Sequence, residues 1–154
     1  MKNKHPGVSC LYKFIDAFNT AEKNNIITNL HFPHYVHSNG NEPVIYKNGE
    51  DFWKSLSVQL DTMIKVENWS FSTLDKCKII NKTDKTLQCE VVFNRRLINK
   101  KSYGSAKGIW ISTFREGIWA LQLRSMIPVS GTISSLAGTN TVSYTHLTLP
   151  TSLI

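Results

Sequence analysis

The order in which helix-like and strand-like segments follow one another constrains this chain most. Apolar residues recur first at helical spacing, as at Val8, Leu11 and Ile15, and predict an amphipathic helix from about Pro6 to Lys23. A short hairpin, a second helix and four strand-like runs follow. A sheet preceded by such helices buries its inner face by curving around one of them. The order therefore predicts an α+β fold in which a curved antiparallel sheet wraps the N-terminal helix and leaves a pocket.

The middle of the chain predicts the hairpin and the second helix. Strand-like residues 35–37 and 43–46 flank a loop rich in Asn and Gly, residue types that tolerate the positive φ of tight hairpin turns. Acidic residues follow Asn48-Gly49 at once, as expected in the first turn of a helix. The core stripe predicted for this helix is Phe52, Leu56, Leu60 and Met63.

Four strand-like runs joined by short turns predict an antiparallel meander. Residues of one parity share one face of a strand. In the first run, the predicted inner face is Trp69, Phe71, Thr73, Asp75, Cys77 and Ile79. In the second run, it is Leu87, Cys89, Val91, Phe93 and Arg95. The last two runs cover about residues 102–114 and 118–126.

An abrupt change in composition marks the end of the predicted domain. The chain has 154 residues, which is typical of one domain, and we place that domain at residues 6–128. Residues 129–154 are rich in Ser and Thr and contain no Lys, Arg, Asp or Glu, so His146 is their only side chain that titrates near neutral pH. Residues 142–151 resemble the translation of sequencing-adapter read-through. We therefore interpret 129–154 as a disordered or artefactual tail.

Charge and cysteine content restrict the classes of partner. The net charge is +7, but no nucleic-acid-binding motif accompanies it, so a nucleic-acid partner is not expected. Three cysteines without metal-ligand spacing indicate reduced, packed thiols, with no metal and no cofactor expected. The chain has no apolar run of about 18 residues that would span a membrane. It also has no clean signal-peptide core, so a cytoplasmic location is predicted.

Several weak motifs, taken in order, resemble one known superfamily. They are the first helix ending near Ala21-Glu22, His31-Phe32-Pro33-His34, Trp69 leading to Leu74-Asp75, Val91-Val92-Phe93-Asn94-Arg95, and Gly117-Ile118-Trp119 with Arg124-Ser125. In this order the chain resembles the nuclear transport factor 2-like superfamily, in particular its SnoaL-like and ketosteroid isomerase-like members. The resemblance implies a cone-shaped, cystatin-like roll that is often a dimer, so a homodimer is expected. The superfamily contains isomerases, dehydratases, cyclases, hydrolases and non-enzymes, and the fold alone does not choose among them.

Asp75 is the first candidate catalytic residue. Its predicted place on the inner face, in phase with Trp69 and Cys77, would raise the pKa of its carboxyl by desolvation. A raised pKa suits a general acid or base. The alternative is a structural ion pair with Arg95 on the neighbouring strand, which would lower that pKa and make Asp75 a poor base.

His34 is the second catalytic candidate. At the mouth of the predicted cone it would donate or accept hydrogen bonds or transfer a proton. The alternative is a structural histidine that holds the loop. His31, His34 and His37 are spaced by three, but Pro33 argues against a continuous helix that would bring them together. We therefore expect no metal site there.

Five further residues are candidates for ligand binding. Trp69 and Phe93 would form apolar walls of the cone, and Tyr12 would offer a hydroxyl from the first helix. Arg95 would bind a carboxylate or oxyanion through a bidentate contact. Arg124 would close the rim of the pocket. Core packing is the alternative for the aromatic side chains, and snorkelling to water is the alternative for Arg95. For Arg124 the alternative is an ion pair with a helix acid.

Three functional hypotheses remain open from the sequence. In the first, the protein binds a small, largely apolar or weakly anionic molecule in a conical pocket, because apolar walls with a few polar groups are typical of ligand sites. In the second, it is a cofactor-independent isomerase, dehydratase or hydrolase that uses Asp75 or His34 for proton transfer. In the third, it is a non-catalytic dimeric interaction module.

Overall fold

A computed structural model describes residues 5–134 and 136 of the chain. Three helices and six strands follow one another as α1 (Pro6–Asn19), α2 (Lys23–Ile27), β1 (Leu30–Ser38), β2 (Val44–Tyr46), α3 (Gly49–Glu67), β3 (Phe71–Lys82), β4 (Thr86–Arg96), β5 (Ser102–Arg115) and β6 (Ile118–Gly131). The predicted α+β class is confirmed: one curved sheet carries the N-terminal helix on its inner face.

The N-terminal helix ends earlier than the sequence predicts. Its apolar stripe, which includes Leu11 and Phe14, is buried, as expected for an amphipathic helix. The Thr20 hydroxyl donates to the carbonyl of Ala17 at 2.6 Å, and Ala21 takes a left-handed φ of 56°. These two features end α1 at Asn19, so the predicted end at Lys23 is wrong.

The long helix α3 forms as predicted. The Asn48 side chain accepts the backbone N–H of Asp51 at 2.9 Å and so caps the N-terminus. The predicted stripe of Phe52, Leu56, Leu60 and Met63 is buried. Asn68 ends the helix in the left-handed conformation, with φ of 59°. Glu67, the last residue of α3, is buried and therefore points into the protein.

The six strands form one mixed sheet in the order β2-β1-β6-β5-β4-β3. β3 to β6 are antiparallel neighbours, as predicted. β1, however, runs parallel to β6, with Val36 opposite Arg124, so a wholly antiparallel sheet is wrong. No tight turn joins β1 to β6; α3 and four strands separate them in the chain, and such a long connection permits a parallel pair.

A bulge in β3 changes which side chains face inward. Leu74 pairs with Phe93, but Lys76 pairs with Val92, so Asp75 is the extra residue of the bulge. Before the bulge the even-numbered residues Ser72 and Leu74 are buried. The predicted odd-numbered inner face is therefore wrong for the first half of the strand. It holds after the bulge, where Cys77 and Ile79 pack against the core.

The fold continues past the predicted domain boundary. β6 runs to Gly131, so residue 128 lies inside a strand. Beyond it, the backbone N–H of Ser134 donates to Glu67 at 2.7 Å. The adapter-like stretch 142–151 lies outside the described residues. Within the described part of the chain, no helix is both long and apolar enough to cross a membrane.

Candidate functional site

A small cavity lies between the N-terminal helix and the inner face of the sheet. The free volume open to the centre of a water molecule is about 20 Å³, above the roughly 10–15 Å³ needed to hold one water. Apolar side chains of α1, β4, β5 and β6 form most of the wall. The polar side chains of the wall are Gln59, Ser72, Arg95 and Arg124.

Arg95 lines this cavity and forms an ion pair with Glu67. It lies on the buried face of β4 and is 2% exposed. Its Nη1 is 3.1 Å from both carboxylate oxygens of Glu67 at the end of α3. The hydroxyls of Tyr103 and Ser134 and the backbone N–H of Ser134 also donate to Glu67. The carboxylate of Glu67 is therefore saturated with donors.

These donors determine the ionisation of Glu67. Burial raises the pKa of its carboxyl, but the charge of Arg95 and the donors from Ser134 and Tyr103 outweigh burial and hold the pKa below its ordinary value. Burial lowers the pKa of Arg95, while the Glu67 carboxylate opposes that shift. Both groups are therefore charged at neutral pH and neutralise each other.

Arg124 is equally buried but has no acidic partner among residues 5–134 and 136. It is 3% exposed and lies on β6. Its guanidinium carbon is 4.9 Å from the centre of the Phe14 ring and 6.0 Å from the centre of the Trp110 ring. Burial lowers the pKa of Arg124 to about 10, so it stays protonated at neutral pH. Aromatic faces are the main compensation for this cation.

Two donors at the cavity are left without a partner. Neither Nη2 of Arg124 nor the indole Nε1 of Trp110 makes a hydrogen bond within the described part of the chain. Both residues line the cavity. Leaving a buried donor unpaired costs about 1–3 kcal/mol, and more for a charged group. The cavity therefore offers donors suited to a group that only accepts hydrogen bonds.

His34 lies behind Arg124 and not at a pocket mouth, so that prediction is wrong. The ring is fully buried on β1, at 5.3 Å from the Phe52 ring centre. Arg124 Nε donates to its Nε2 at 3.4 Å. Burial and the charge of Arg124 hold the pKa of His34 well below its ordinary value. His34 is thus a neutral acceptor that orients Arg124.

Asp75 does not face the cavity. As the extra residue of the bulge it is exposed, and it accepts hydrogen bonds from Thr73 and Asn94. Its ion partner is Arg96, at 3.4 Å, and not Arg95. The predicted inner-face position and the alternative Asp75–Arg95 pair are both wrong, because the bulge turns the Asp75 side chain to the outer face.

The other candidates divide between the cavity and the surrounding core. Phe93 lines the cavity, as Arg95 and Arg124 do. Trp69 is buried next to Phe18, and its indole N–H donates to Ser72 at 2.9 Å. Tyr12 is half-buried, and burial raises the pKa of its phenol. Neither Trp69 nor Tyr12 is part of the cavity wall.

Sequence reasoning missed the partners contributed by helices. Glu67 and Gln59 belong to α3, where only the apolar stripe was singled out. Both are buried, and Gln59 reaches the cavity while Glu67 holds Arg95. A charged residue at the last turn of an amphipathic helix is usually solvated, so its type gave no signal. The described residues contain no cluster of three metal-ligating side chains.

Comparison with solved structures identifies the architecture. A cystatin-like-fold protein of unknown function from Nostoc punctiforme has a TM-score of 0.59 and 14% identity, with 85% of this chain and 91% of that chain covered. An NTF2-like protein from Novosphingobium aromaticivorans has a TM-score of 0.56 and 11% identity over 82% and 81% of the two chains. This chain has the nuclear transport factor 2-like fold.

A third similar structure bears on the range of functions found on this fold. A ketosteroid isomerase-like protein from Erwinia carotovora has a TM-score of 0.54 and 10% identity, with 84% of this chain and 99% of that chain covered. No family model matches the sequence, and no curated protein matches it. At these identities the likeness concerns the fold, which agrees with the resemblance seen in the sequence.

Proposed function

We propose that this protein binds a small, largely apolar molecule with an anionic group, such as a short carboxylate, in the cavity beneath α1. The observation that carries this proposal is Arg124, a buried cation in the cavity wall whose Nη2 has no hydrogen-bond partner among the described residues. A carboxylate there would neutralise the charge and accept hydrogen bonds from Arg124. Trp110 lines the same cavity, and its indole N–H, which has no partner among the described residues, would be the second donor.

The setting favours a strong contact with such an anion. Hydrogen bonds between a guanidinium and a carboxylate are charge-assisted and can be bidentate. An apolar surrounding strengthens them, because charges interact more strongly at low dielectric. His34 holds Nε of Arg124 and so fixes the orientation of the guanidinium before a ligand arrives. The remaining wall is aromatic or aliphatic and suits the apolar part of a ligand.

Cavity size limits the ligand. A free volume of about 20 Å³ holds one water, so a carboxylate must displace wall side chains to enter. Displacement opposes binding more as the ligand grows. We therefore expect short carboxylates to bind in preference to long ones.

Catalysis by Asp75 or His34, as an isomerase, dehydratase or hydrolase, draws less support. Asp75 is exposed on the outer face. His34 is a neutral acceptor whose Nε2 already receives Arg124. The buried acid Glu67 is engaged by Arg95, Tyr103 and Ser134 and is not available as a base. Binding without proton transfer is therefore the function we propose.

The test is calorimetric titration of the purified full-length chain with acetate, butyrate and hexanoate. We expect at least one of these salts to bind the wild type, with affinity weakened by about tenfold or more in Arg124→Met, which corresponds to about 1.4 kcal/mol. Methionine keeps the apolar bulk and removes the charge and the donors.

Arg115→Met is the matched control, since Arg115 lies at the end of β5 and donates to the carbonyl of Phe32 outside the cavity. It should bind carboxylates as the wild type does. If no carboxylate binds the wild type, or if Arg124→Met binds as tightly, the proposal is wrong.

A further inference from the structure

Among the described residues, two arginines but only one carboxylate are buried. Within the described residues, the buried groups that carry charge at neutral pH are Arg95, Arg124 and Glu67. Glu67 lies 3.1 Å from Nη1 of Arg95. One positive charge, that of Arg124, is left uncompensated.

We infer that Glu67 is a specificity-determining residue: by neutralising Arg95 it restricts the cavity to ligands with a single negative charge, that is, to monocarboxylates and not dicarboxylates. This inference rests on the proposed function, since it concerns the charge of the ligand in the same cavity.

Burial of charge provides the physical reason. A monocarboxylate at Arg124 brings the interior to electrical neutrality. A second carboxylate on the same ligand would find Arg95 already occupied by Glu67, and so would be buried without a counter-charge. An unpaired buried charge is strongly unfavourable. A neutral amide, in turn, would leave the Arg124 cation uncompensated.

The geometry explains why Arg95 does not serve as a second anion site. Its Nη1 bridges both oxygens of Glu67, and the carboxylate is held in turn by Tyr103 and Ser134. An incoming anion would have to replace Glu67 within this network. Glu67 is covalently part of the site and always present, so a free anion does not displace it.

The experiment compares butyrate with succinate and butyramide, which have four carbons each and differ mainly in charge. We expect butyrate to bind the wild type at least about tenfold more tightly than either of the other two. Succinate binding as tightly as butyrate would overturn the inference and leave the proposed function standing. Absence of binding by butyrate and succinate, with acetate bound, would overturn the inference alone. Absence of binding by acetate, butyrate and hexanoate would overturn the proposed function, and the inference with it.

Two variants test whether the preference for monocarboxylates depends on the charge of Glu67 or only on the cost of burying a dianion in an apolar cavity. Glu67→Gln frees Arg95, so the affinity for succinate relative to butyrate should rise by about tenfold or more. An unchanged ratio in the folded variant would refute the role of Glu67.

Gln59→Glu decides the matter if Glu67→Gln does not fold. Gln59 is buried in the cavity wall, and its replacement keeps the shape of the side chain while adding a negative charge. That charge cancels the remaining positive charge, so butyrate should bind about tenfold less tightly or worse. Undiminished butyrate binding by Gln59→Glu would show that the charge count does not control the ligand.

Discussion

Arg95 and Arg124 line one cavity and are almost equally buried, at 2% and 3% exposure, yet they are held in different ways. Arg95 meets an ionised carboxylate that further donors stabilise. Arg124 meets aromatic rings and a neutral histidine. The first arrangement satisfies a buried charge within the protein. The second leaves the positive charge of Arg124 without a carboxylate among the described residues, and a binding site for an anion requires such a charge.

This difference in partners gives the two arginines different roles: Arg95 stabilises the fold together with Glu67, and Arg124 provides a binding site. A buried ion pair often contributes little net stability compared with apolar residues, but removing one partner is strongly destabilising. Arg95 and Glu67 therefore depend on each other. Arg124 has no acidic partner among residues 5–134 and 136 whose loss would leave its charge unpaired. Its burial opposes folding while it provides a site.

The largest expected effect on stability follows from removing the carboxylate that pairs with Arg95. Glu67→Gln should lower the free energy of unfolding by about 3–5 kcal/mol, because it leaves the Arg95 charge buried without a partner. Denaturant unfolding at neutral pH measures it. Arg124→Met should leave stability unchanged or raise it, since a desolvated cation is replaced by an apolar side chain.

A double variant provides the control for this prediction. Glu67→Gln combined with Arg95→Met removes both charges and should recover most of the stability lost in Glu67→Gln alone. Should Arg124→Met instead prove the more destabilising of the two single changes, the distinction between a paired and an open arginine would not hold.

The sequence predicts only in part which side chains face the inner side of the sheet. Period-two alternation places Phe93 and Arg95 correctly, because β4 runs from Leu87 to Arg95 without a change of face. The same rule fails for Asp75, since an extra residue in β3 inverts the parity. A bulge depends on how two strands pair, and we find no local sequence pattern that predicts the bulge at Asp75.

Partners from distant segments are the other part that the sequence leaves open. The pairing of Arg95 with Glu67 joins β4 to the end of α3, 28 residues away in the chain. The contact of Arg124 with His34 joins β6 to β1 through a parallel pairing that no hairpin determines. Secondary structure and the fold follow from local patterns, whereas these charge partners follow from topology.

A second prediction tests whether His34, the histidine that contacts Arg124, is neutral in the folded protein. The folded pKa of His34 lies well below that of the unfolded chain, about 6.5. Below pH 6.5 the unfolded state therefore binds a proton that the folded state does not, and stability falls as the pH falls. The slope for one such proton approaches about 1.4 kcal/mol per pH unit. His34→Gln, which keeps an acceptor for Arg124, should reduce the wild-type slope between about pH 6.5 and 5.5 by about 1 kcal/mol per pH unit, because the unfolded histidine is only half protonated at pH 6.5.

His31→Gln is the matched control, because the exposed His31 ring contacts the carbonyl of Ile118 at the surface. The slope of His34→Gln is compared with that of this variant as well as with that of the wild type. Equal slopes for wild type and His34→Gln in urea titrations at several pH values would mean that His34 accepts a proton in the folded state.

The smallest effect is expected on the outer face, where the remaining acid of interest lies. The Asp75 side chain is 39% exposed and 3.4 Å from Arg96, so water already screens the pair. Exposed ion pairs contribute about 1 kcal/mol or less. Asp75→Asn should change the free energy of unfolding by no more than that and leave carboxylate binding as it is in the wild type. Loss of binding in this variant would contradict the placement of the anion site in the cavity, because Asp75 does not belong to the wall that Arg124 lines.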